Sequence, residues 1–132
     1  MAAEAESNIA FEKTAQKRIE AARIFAIQAA KMAKDTHCSN VVILDVSAIS
    51  PITDFFIIGT GTSPRQMRSV CDDLKELGDE VNFHARSKPN VDGDQWLLID
   101  FVDVVVHLFT DDSRRFYDLE NLWGDAKVVE WK

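Results

Sequence analysis

The sequence contains little cysteine, proline or glycine and no long hydrophobic run. Its 132 residues include two cysteines, three prolines and five glycines, and no low-complexity segment interrupts them. Apolar residues make up 46% and charged residues 28%, the balance of a globular chain. No apolar run approaches the roughly 18 residues of a membrane span, and no signal peptide is recognisable. We therefore expect a cytoplasmic protein without membrane association, with Cys38 and Cys71 as free thiols.

Basic residues are scarce in the last third of the chain. Residues 90–125 carry nine acidic residues against two arginines, Arg114 and Arg115, whereas residues 1–89 are nearly balanced. A nucleic-acid-binding domain usually shows a basic patch or stripe, while an acidic surface repels phosphates and attracts basic surfaces. We therefore expect no direct DNA binding and favour a basic protein as partner. The alternative is that the acidic residues serve only to keep the surface hydrated and bind no partner.

The chain length predicts one domain, and no internal repeat divides it. We assign residues 1–14 to a flexible N-terminus, 15–126 to the domain and 127–132 to a short C-terminal tail. Hydrophobic periodicity and turn residues predict helices over 15–34, 64–77 and 113–123. The same signals predict strands over 41–46, 54–60, 81–86, 96–100 and 104–109. This order predicts an α/β fold, with a mixed sheet of about five strands and helices packed on it.

The segment GTGTSPR at 59–65 joins a predicted strand to a predicted helix, as phosphate-binding loops do. Backbone N–H groups at a helix N-terminus, with Arg65 nearby, suit an anion. The spacing nevertheless matches neither GxxxxGK[ST] nor GxGxxG, and the loop has no lysine to reach terminal phosphates. We favour a tight turn in which Ser63 caps the helix and Pro64 takes its first position. Phosphate binding is the alternative.

The carboxylates do not have the spacing that metal-dependent nucleotidyl transfer requires. That chemistry uses two metal ions held by carboxylates, usually an Asp-x-Asp pair whose side chains share one face of a strand. Asp100 and Asp103 are three residues apart across a predicted turn, and Asp45 and Asp54 stand alone. The histidines and cysteines show no metal-ligand spacing, and we interpret His107 as a buried imidazole bonded to a backbone carbonyl or a carboxylate. The residues therefore predict no catalytic site, metal site or cofactor.

Two blocks of sequence carry a family resemblance. They are LDVSAISPITDFFIIGTGTSPRQ at 44–66, and WLLIDFVDVVVHLF at 96–109 followed by SRRFYDLENLWGDA at 113–126. With them the chain resembles the Iojap family, the ribosomal silencing factors, over about 41–126. The resemblance implies an α/β fold that is nucleotidyltransferase-like but without the catalytic carboxylates. It also implies a protein that is not an enzyme, in agreement with the spacing of the aspartates.

The resemblance further implies a translation repressor. Members of this family bind the large ribosomal subunit through its universal protein fourteen and sterically block joining with the small subunit, typically when nutrients are short. Roles in large-subunit maturation are attributed to organellar members, and dimers of the free protein are known. We therefore expect the large subunit as partner, through a basic ribosomal protein, and a homodimer when the protein is free. The alternatives are a metal-dependent nucleotidyltransferase-like enzyme and an assembly factor of the large subunit.

Carried over by motif, the resemblance also implies a partner-binding surface. Its residues are Trp96, Leu97, Asp100, Arg114, Tyr117, Glu120 and Trp123. A tryptophan beside a leucine suits an aromatic anchor, and an acidic rim steers toward a basic partner. Two structural alternatives stay open: Trp123 packs in the core, and Arg114 pairs with Asp118 one helical turn on.

Three positions depart from the family pattern. Gln66 follows Arg65 where the family usually has histidine, and Pro89-Asn90 stand where a Glu-Gly pair is common. Val102 replaces the glycine of an Asp-x-Gly-Asp reversal. Because a side chain is strained where a turn requires a positive φ, we expect this turn to be of a different type.

Overall fold

The computed structural model describes residues 2–86 and 93–132, with side chains from Lys13 onward. The helices are α1 (Ala2–Asp35), α2 (Pro64–Glu80), α3 (Asp111–Tyr117) and α4 (Leu119–Leu122). The strands are β1 (Ser39–Asp45), β2 (Phe55–Thr60), β3 (Trp96–Asp100), β4 (Val104–Phe109) and β5 (Lys127–Val128). The family departure at Pro89-Asn90 lies outside the described residues. Within them, no helix is long and apolar enough to cross a membrane.

The five strands form one mixed sheet in the order β3-β4-β2-β1-β5. Strands β2 and β4 run parallel, while the pairs β1–β2, β1–β5 and β3–β4 are antiparallel. The parallel pair arises because α2 and β3 lie between β2 and β4 along the chain, and parallel neighbours need such a crossover. The predicted α/β fold with a mixed sheet of about five strands is confirmed.

Helices α1 and α2 cover one face of the sheet. Phe25 of α1 stacks on Phe83 with ring centroids 4.5 Å apart, and meets Phe101 edge-on at 4.9 Å. Close approach of α1 to the sheet depends on small side chains, since an alanine adds little thickness between two backbones. The fully buried alanines of α1 are Ala22, Ala26, Ala29, Ala30 and Ala33.

Three elements differ from the sequence expectations. Helix α1 already begins at Ala2, within the segment assigned to a flexible N-terminus, whose flexibility stays a prediction. The predicted strand over 81–86 is wrong: its alternating hydrophobic residues pack against the core, but Asn82 has φ +66° and the chain there has no strand pairing. The helix predicted over 113–123 is two short helices, because Asp118 adopts a left-handed conformation with φ +47°.

The fifth strand comes from the segment that we assigned to a short tail. Strand β5 pairs with the end of β1, and the backbone N–H of Val129 donates to the carbonyl of Ile43 at 2.9 Å. Val129 and Trp131 are 8% and 9% exposed and belong to the main core cluster. Residues 127–132 therefore close one edge of the sheet and contribute to the core.

The turn between β3 and β4 holds Val102 at φ +77°. Its N–H donates to Oδ1 of Asp100 at 2.8 Å, and the N–H of Asp103 donates to the carbonyl of Phe101 at 3.1 Å. These bonds keep a positive φ at a β-branched residue, a conformation that is strained for any residue with a Cβ atom. The expectation that this turn avoids a positive φ at Val102 is therefore wrong, and the missing glycine leaves backbone strain there.

We expect Val102→Gly to stabilise the protein by about 1 kcal/mol, because relief of the left-handed strain exceeds the entropy that glycine costs. Denaturant-induced unfolding measures the difference. Val128→Gly is the matched control. Val128 is also exposed but lies in a strand, so replacing it by glycine should lower the unfolding free energy. Equal destabilisation by both changes would contradict strain at Val102.

Candidate functional site

Aromatic side chains gather on the face of the sheet opposite α1 and α2. Trp96 pairs with Phe109 across β3 and β4, with ring centroids 4.9 Å apart. Tyr117, at the end of α3, lies 4.6 Å from Trp96. Phe116 extends the cluster outward: it is 81% exposed and meets Tyr117 edge-on at 5.1 Å. We call Trp96, Phe116 and Tyr117 the aromatic surface.

A second layer of rings supports the aromatic surface. Phe56 of β2 meets both His107 and Trp123 edge-on, each at 5.1 Å. Trp123 is partly buried and packs against the smaller core cluster. The core interpretation therefore describes Trp123 better than the exposed one, and its ring supports the surface from below.

His107 is bonded to Trp96 rather than to a carbonyl or a carboxylate. The indole Nε1–H of Trp96 donates to Nδ1 of His107 at 3.1 Å. Since Nδ1 accepts this bond, the proton of the neutral imidazole sits on Nε2, which has no hydrogen-bond partner within the described part of the chain. Burial lowers the pKa of His107 to about 4, so the ring is neutral at physiological pH. The burial of His107 was predicted, but its partner was not.

Arg114 acts as a clamp between the two short helices and the sheet. Its Nε and Nη2 donate to the two carboxylate oxygens of Glu120 at 2.9 and 3.2 Å. Its Nη1 donates to the carbonyl of Asn40 at 2.7 Å and to Oγ1 of Thr60 at 2.9 Å. The side chain is only 11% exposed. The alternative pairing with Asp118 is wrong, and Arg114 and Glu120 hold the segment that carries Phe116 and Tyr117.

Leu97 and Asp100 lie apart from the aromatic surface. Leu97 is 3% exposed and packs in the core beneath α1 and α2, because neighbouring residues of a strand point to opposite faces. Asp100 shares the face of Trp96 but lies at the far end of β3. Its Oδ2 accepts from Arg86 at 2.7 Å. The structure therefore brings Trp96, Tyr117 and Trp123 together, and leaves out Leu97 and Asp100.

Several acidic residues of the last third are paired with arginines. Arg68 of α2 reaches Asp94 at 3.1 Å. Arg115 contacts both Asp111 at 3.3 Å and Asp112 at 2.7 Å. These exposed ion pairs neutralise part of the negative charge of residues 90–125, and Arg68 adds a positive charge from outside that segment.

The glycine loop forms a capped turn, and the N–H groups of Gly61, Thr62 and Gln66 already have acceptors within the protein. Oγ of Ser63 accepts from the N–H of Gln66 at 3.1 Å. Oε1 of Gln66 accepts from the N–H of Thr62 at 3.1 Å, while its Nε2 donates to the carbonyl of Thr36 at 2.7 Å. A Cβ atom on Gly61 would clash with the side chain of Met67 and would also lie 2.8 Å from Oε1 of Gln66. The glycine therefore leaves room for both side chains, and the Gln66 amide takes up the Thr62 N–H that an anion could otherwise use.

The aspartates of the enzyme alternative do not gather into a metal-binding group, although Asp54 and Asp103 are neighbours. Burial and the charge of neighbouring Asp103 raise the pKa of Asp54. Both oxygens of Asp100 are engaged, one by Arg86 and the other by the N–H of Val102. Among the described residues, no three His, Cys, Asp or Glu side chains are grouped to hold a metal ion. The geometry gives no support to metal-dependent nucleotidyl transfer.

His107 should make stability depend on pH. Its pKa in the folded state, about 4, lies below the ordinary value of about 6.5, so the unfolded chain binds the proton more tightly. The lowered pKa of His107 therefore contributes fully to the unfolding free energy above about pH 6.5, and this contribution is lost as the pH falls toward 4. Between pH 7.5 and 5 we expect wild type to lose about 2 kcal/mol more unfolding free energy than His107→Gln. Parallel pH curves from denaturant unfolding would contradict this.

The Arg114 clamp predicts a difference between two neighbouring arginines. Arg114→Lys removes the planar fork that bonds Glu120, Asn40 and Thr60 together, and we expect a loss of about 2 kcal/mol in unfolding free energy. Arg115→Lys, at an exposed ion pair, should leave stability nearly unchanged. Similar losses from both changes would rule out the clamp.

The chain matches known proteins over most of its length. A family model described as "Ribosomal silencing factor during starvation" covers residues 18–132. The ribosomal silencing factor RsfS of Bacillus subtilis is 35% identical over 102 residues, which span 77% of this chain and 86% of that protein. The RsfS of Halalkalibacterium halodurans is 41% identical over 96 residues, 73% of this chain and 82% of that protein.

A more distant relative and two solved structures extend the comparison. The mouse protein named "Mitochondrial assembly of ribosomal large subunit protein 1" is 32% identical over 95 residues, 68% of this chain and 41% of that protein. A crystal structure from Bacillus halodurans superposes with a TM-score of 0.65 at 35% identity, covering 77% of this chain and 92% of that one. One from Chromobacterium violaceum gives 0.70 at 28% identity, with coverage of 80% and 86%. The chain belongs to the ribosomal silencing factor family.

Proposed function

We propose that the protein is a cytoplasmic translation repressor that binds the large ribosomal subunit through its universal protein fourteen. In doing so it sterically blocks joining with the small subunit and lowers protein synthesis under nutrient limitation. Family membership supports the association with the ribosome. The observation that carries the docking model is the aromatic surface, where Phe116 is 81% exposed beside Tyr117 and Trp96.

The aromatic surface has the properties of a protein-binding site. Large exposed apolar side chains mark interaction sites on folded proteins, and tryptophan and tyrosine dominate the binding energy of many interfaces. Trp96 and Tyr117 are held by ring packing, and the Arg114 clamp holds the segment that carries Tyr117. A surface that is already ordered loses less conformational entropy on binding.

The charge of the protein favours a basic partner. The net charge is −7, and Asp111, Asp112 and Asp118 are all exposed. A single arginine, Arg115, contacts two of these carboxylates, so the rim keeps an excess of negative charge. Such charges act mainly on the rate and specificity of association. Binding should therefore weaken moderately as the salt concentration rises.

We further propose that repression requires no catalysis. The Gln66 amide accepts from the Thr62 N–H of the glycine loop, and Asp100 is engaged by Arg86 and by the turn. A bound domain of this size excludes a large neighbour by occupying the joining face. A homodimer of the free protein stays a prediction.

A role in assembly of the large subunit is the second candidate. It is favoured by the name of the mouse relative, which refers to mitochondrial assembly of that subunit. The same aromatic surface serves both functions, because both require docking on the large subunit. They differ in whether the bound particle is mature or still incomplete.

Co-sedimentation with purified ribosomal subunits tests the docking model. We expect wild type to travel with the large subunit, and Phe116→Ala to weaken binding about tenfold because truncation removes a central aromatic contact. Ile52→Ala is the matched control: Ile52 is also 81% exposed but lies in the loop before β2, whereas the other end of β2, Thr60, bonds Arg114. Ile52→Ala should bind like wild type.

Three outcomes would contradict parts of the model. If wild type does not travel with the large subunit, the proposed partner is wrong. If Phe116→Ala and Ile52→Ala bind alike, the aromatic surface is not the binding site. If bound wild type leaves subunit joining unimpaired at saturation, silencing is wrong, and preferential binding to immature large subunits would then favour assembly.

A further inference from the structure

His107 lies directly beneath the aromatic surface, outside the residues that the family motifs place in it. It sits in the middle of β4, opposite Leu98 of β3 and Ile58 of β2. Only 5% of the residue is exposed. It therefore cannot form part of a contact area itself, and any effect on docking must pass through a neighbour.

The neighbour that His107 controls is Trp96. The indole lies among three rings, with centroid distances of 4.6 Å to Tyr117, 4.9 Å to Phe109 and 5.7 Å to His107. Ring contacts are far less directional than a hydrogen bond, so they define the orientation of the indole less sharply. The bond from Nε1 to Nδ1 of His107 at 3.1 Å selects one of them, since Nε1–H is the only hydrogen-bond donor of the indole.

Burying an imidazole at this position is energetically less favourable than burying an apolar side chain. Its Nε2 is buried and has no hydrogen-bond partner among the described residues, and a buried polar group without a partner is unfavourable. A phenylalanine or leucine would fill the volume without that cost. What the imidazole supplies and these apolar side chains lack is the acceptor at Nδ1.

We propose that His107 is a positioning residue of the aromatic surface: it fixes the orientation in which the Trp96 indole meets the large subunit, without touching the partner. This inference rests on the proposed function. It also limits the chemistry of the partner group at Trp96. Because the indole N–H is turned inward to His107, the ring offers the partner its carbon atoms. An aliphatic side chain suits them, whereas an acceptor seeking the N–H does not.

Two substitutions separate orientation from simple packing. His107→Phe keeps a ring but removes the acceptor. His107→Asn is smaller, but its Oδ1 lies near the position of Nδ1 and restores the acceptor. Ile58→Val is the control for lost packing, because Ile58 is fully buried beside His107 but makes no bond to the indole.

Two measurements follow on the full chain. The first is hydrogen exchange of the Trp96 indole N–H by NMR, assigned from its absence in Trp96→Phe. The second is binding to purified large subunits. We expect His107→Phe to lose protection of the indole N–H and to bind about tenfold more weakly, as expected for a misplaced anchor residue. His107→Asn should recover most of the protection of the indole N–H and most of the binding. Ile58→Val should resemble wild type in protection and in binding.

The inference is overturned if His107→Phe binds like wild type, or if binding falls while the indole N–H keeps its protection. It is also overturned if His107→Asn fails to recover binding although its indole N–H is protected. If wild type itself does not bind the large subunit, the proposed function fails and the docking role of His107 fails with it. In that case the exchange measurement still tests the bond between Trp96 and His107: the bond is present if the indole N–H is protected in wild type and loses its protection in His107→Phe.

Discussion

A sheet with two apolar faces needs a cover on each, and this chain covers the two faces unequally. The alanine-rich α1 and the amphipathic α2 bury one face completely, with strand residues such as Ile57 and Val106 at zero exposure. Among the described residues, the other face is covered by α3, α4 and the residues that follow them. Leu98, Val105 and Trp96 there remain partly exposed. The incomplete cover leaves apolar and aromatic area available to a partner.

The exposed part of that face is nevertheless ordered. Short helices of four and seven residues have little stability of their own, so their position depends on tertiary bonds. Arg114 supplies four of these, to Glu120, Asn40 and Thr60. A second constraint, the indole bond to His107, acts on the strand side. Together they convert a partly covered sheet into a fixed surface, and this is why we assign docking to it.

The enzyme-like features of the chain have structural explanations. The glycine loop resembles a phosphate cradle because strand, turn and helix follow one another in the same way. Its glycine instead admits the amide of Gln66, with Gly61 close to both Gln66 and Met67. Local sequence cannot distinguish a phosphate-binding loop from this capped turn, because in both cases the backbone needs space beside a helix N-terminus.

The sequence by itself determined the elements that depend on local pattern. Strands β3 and β4, the cap at Ser63 and the alanine face of α1 follow from periodicity and turn chemistry, and the family motifs are read from the residues directly. The docking role of the predicted site residues stays a prediction, although the presence of Trp96, Tyr117 and Trp123 on one face agrees with the motif.

Only the tertiary structure decided the remaining features, because each depends on residues far apart in the chain. Strand β5 forms only when residues 127–132 meet β1, and the alternating residues at 81–86 pack against the core without a strand partner. The burial of Leu97, the clamp from Arg114 to Asn40 and the bond from Trp96 to His107 likewise join distant positions. Hydrophobic periodicity reports which side of an element is apolar, but it does not report which distant side chain completes a hydrogen bond there.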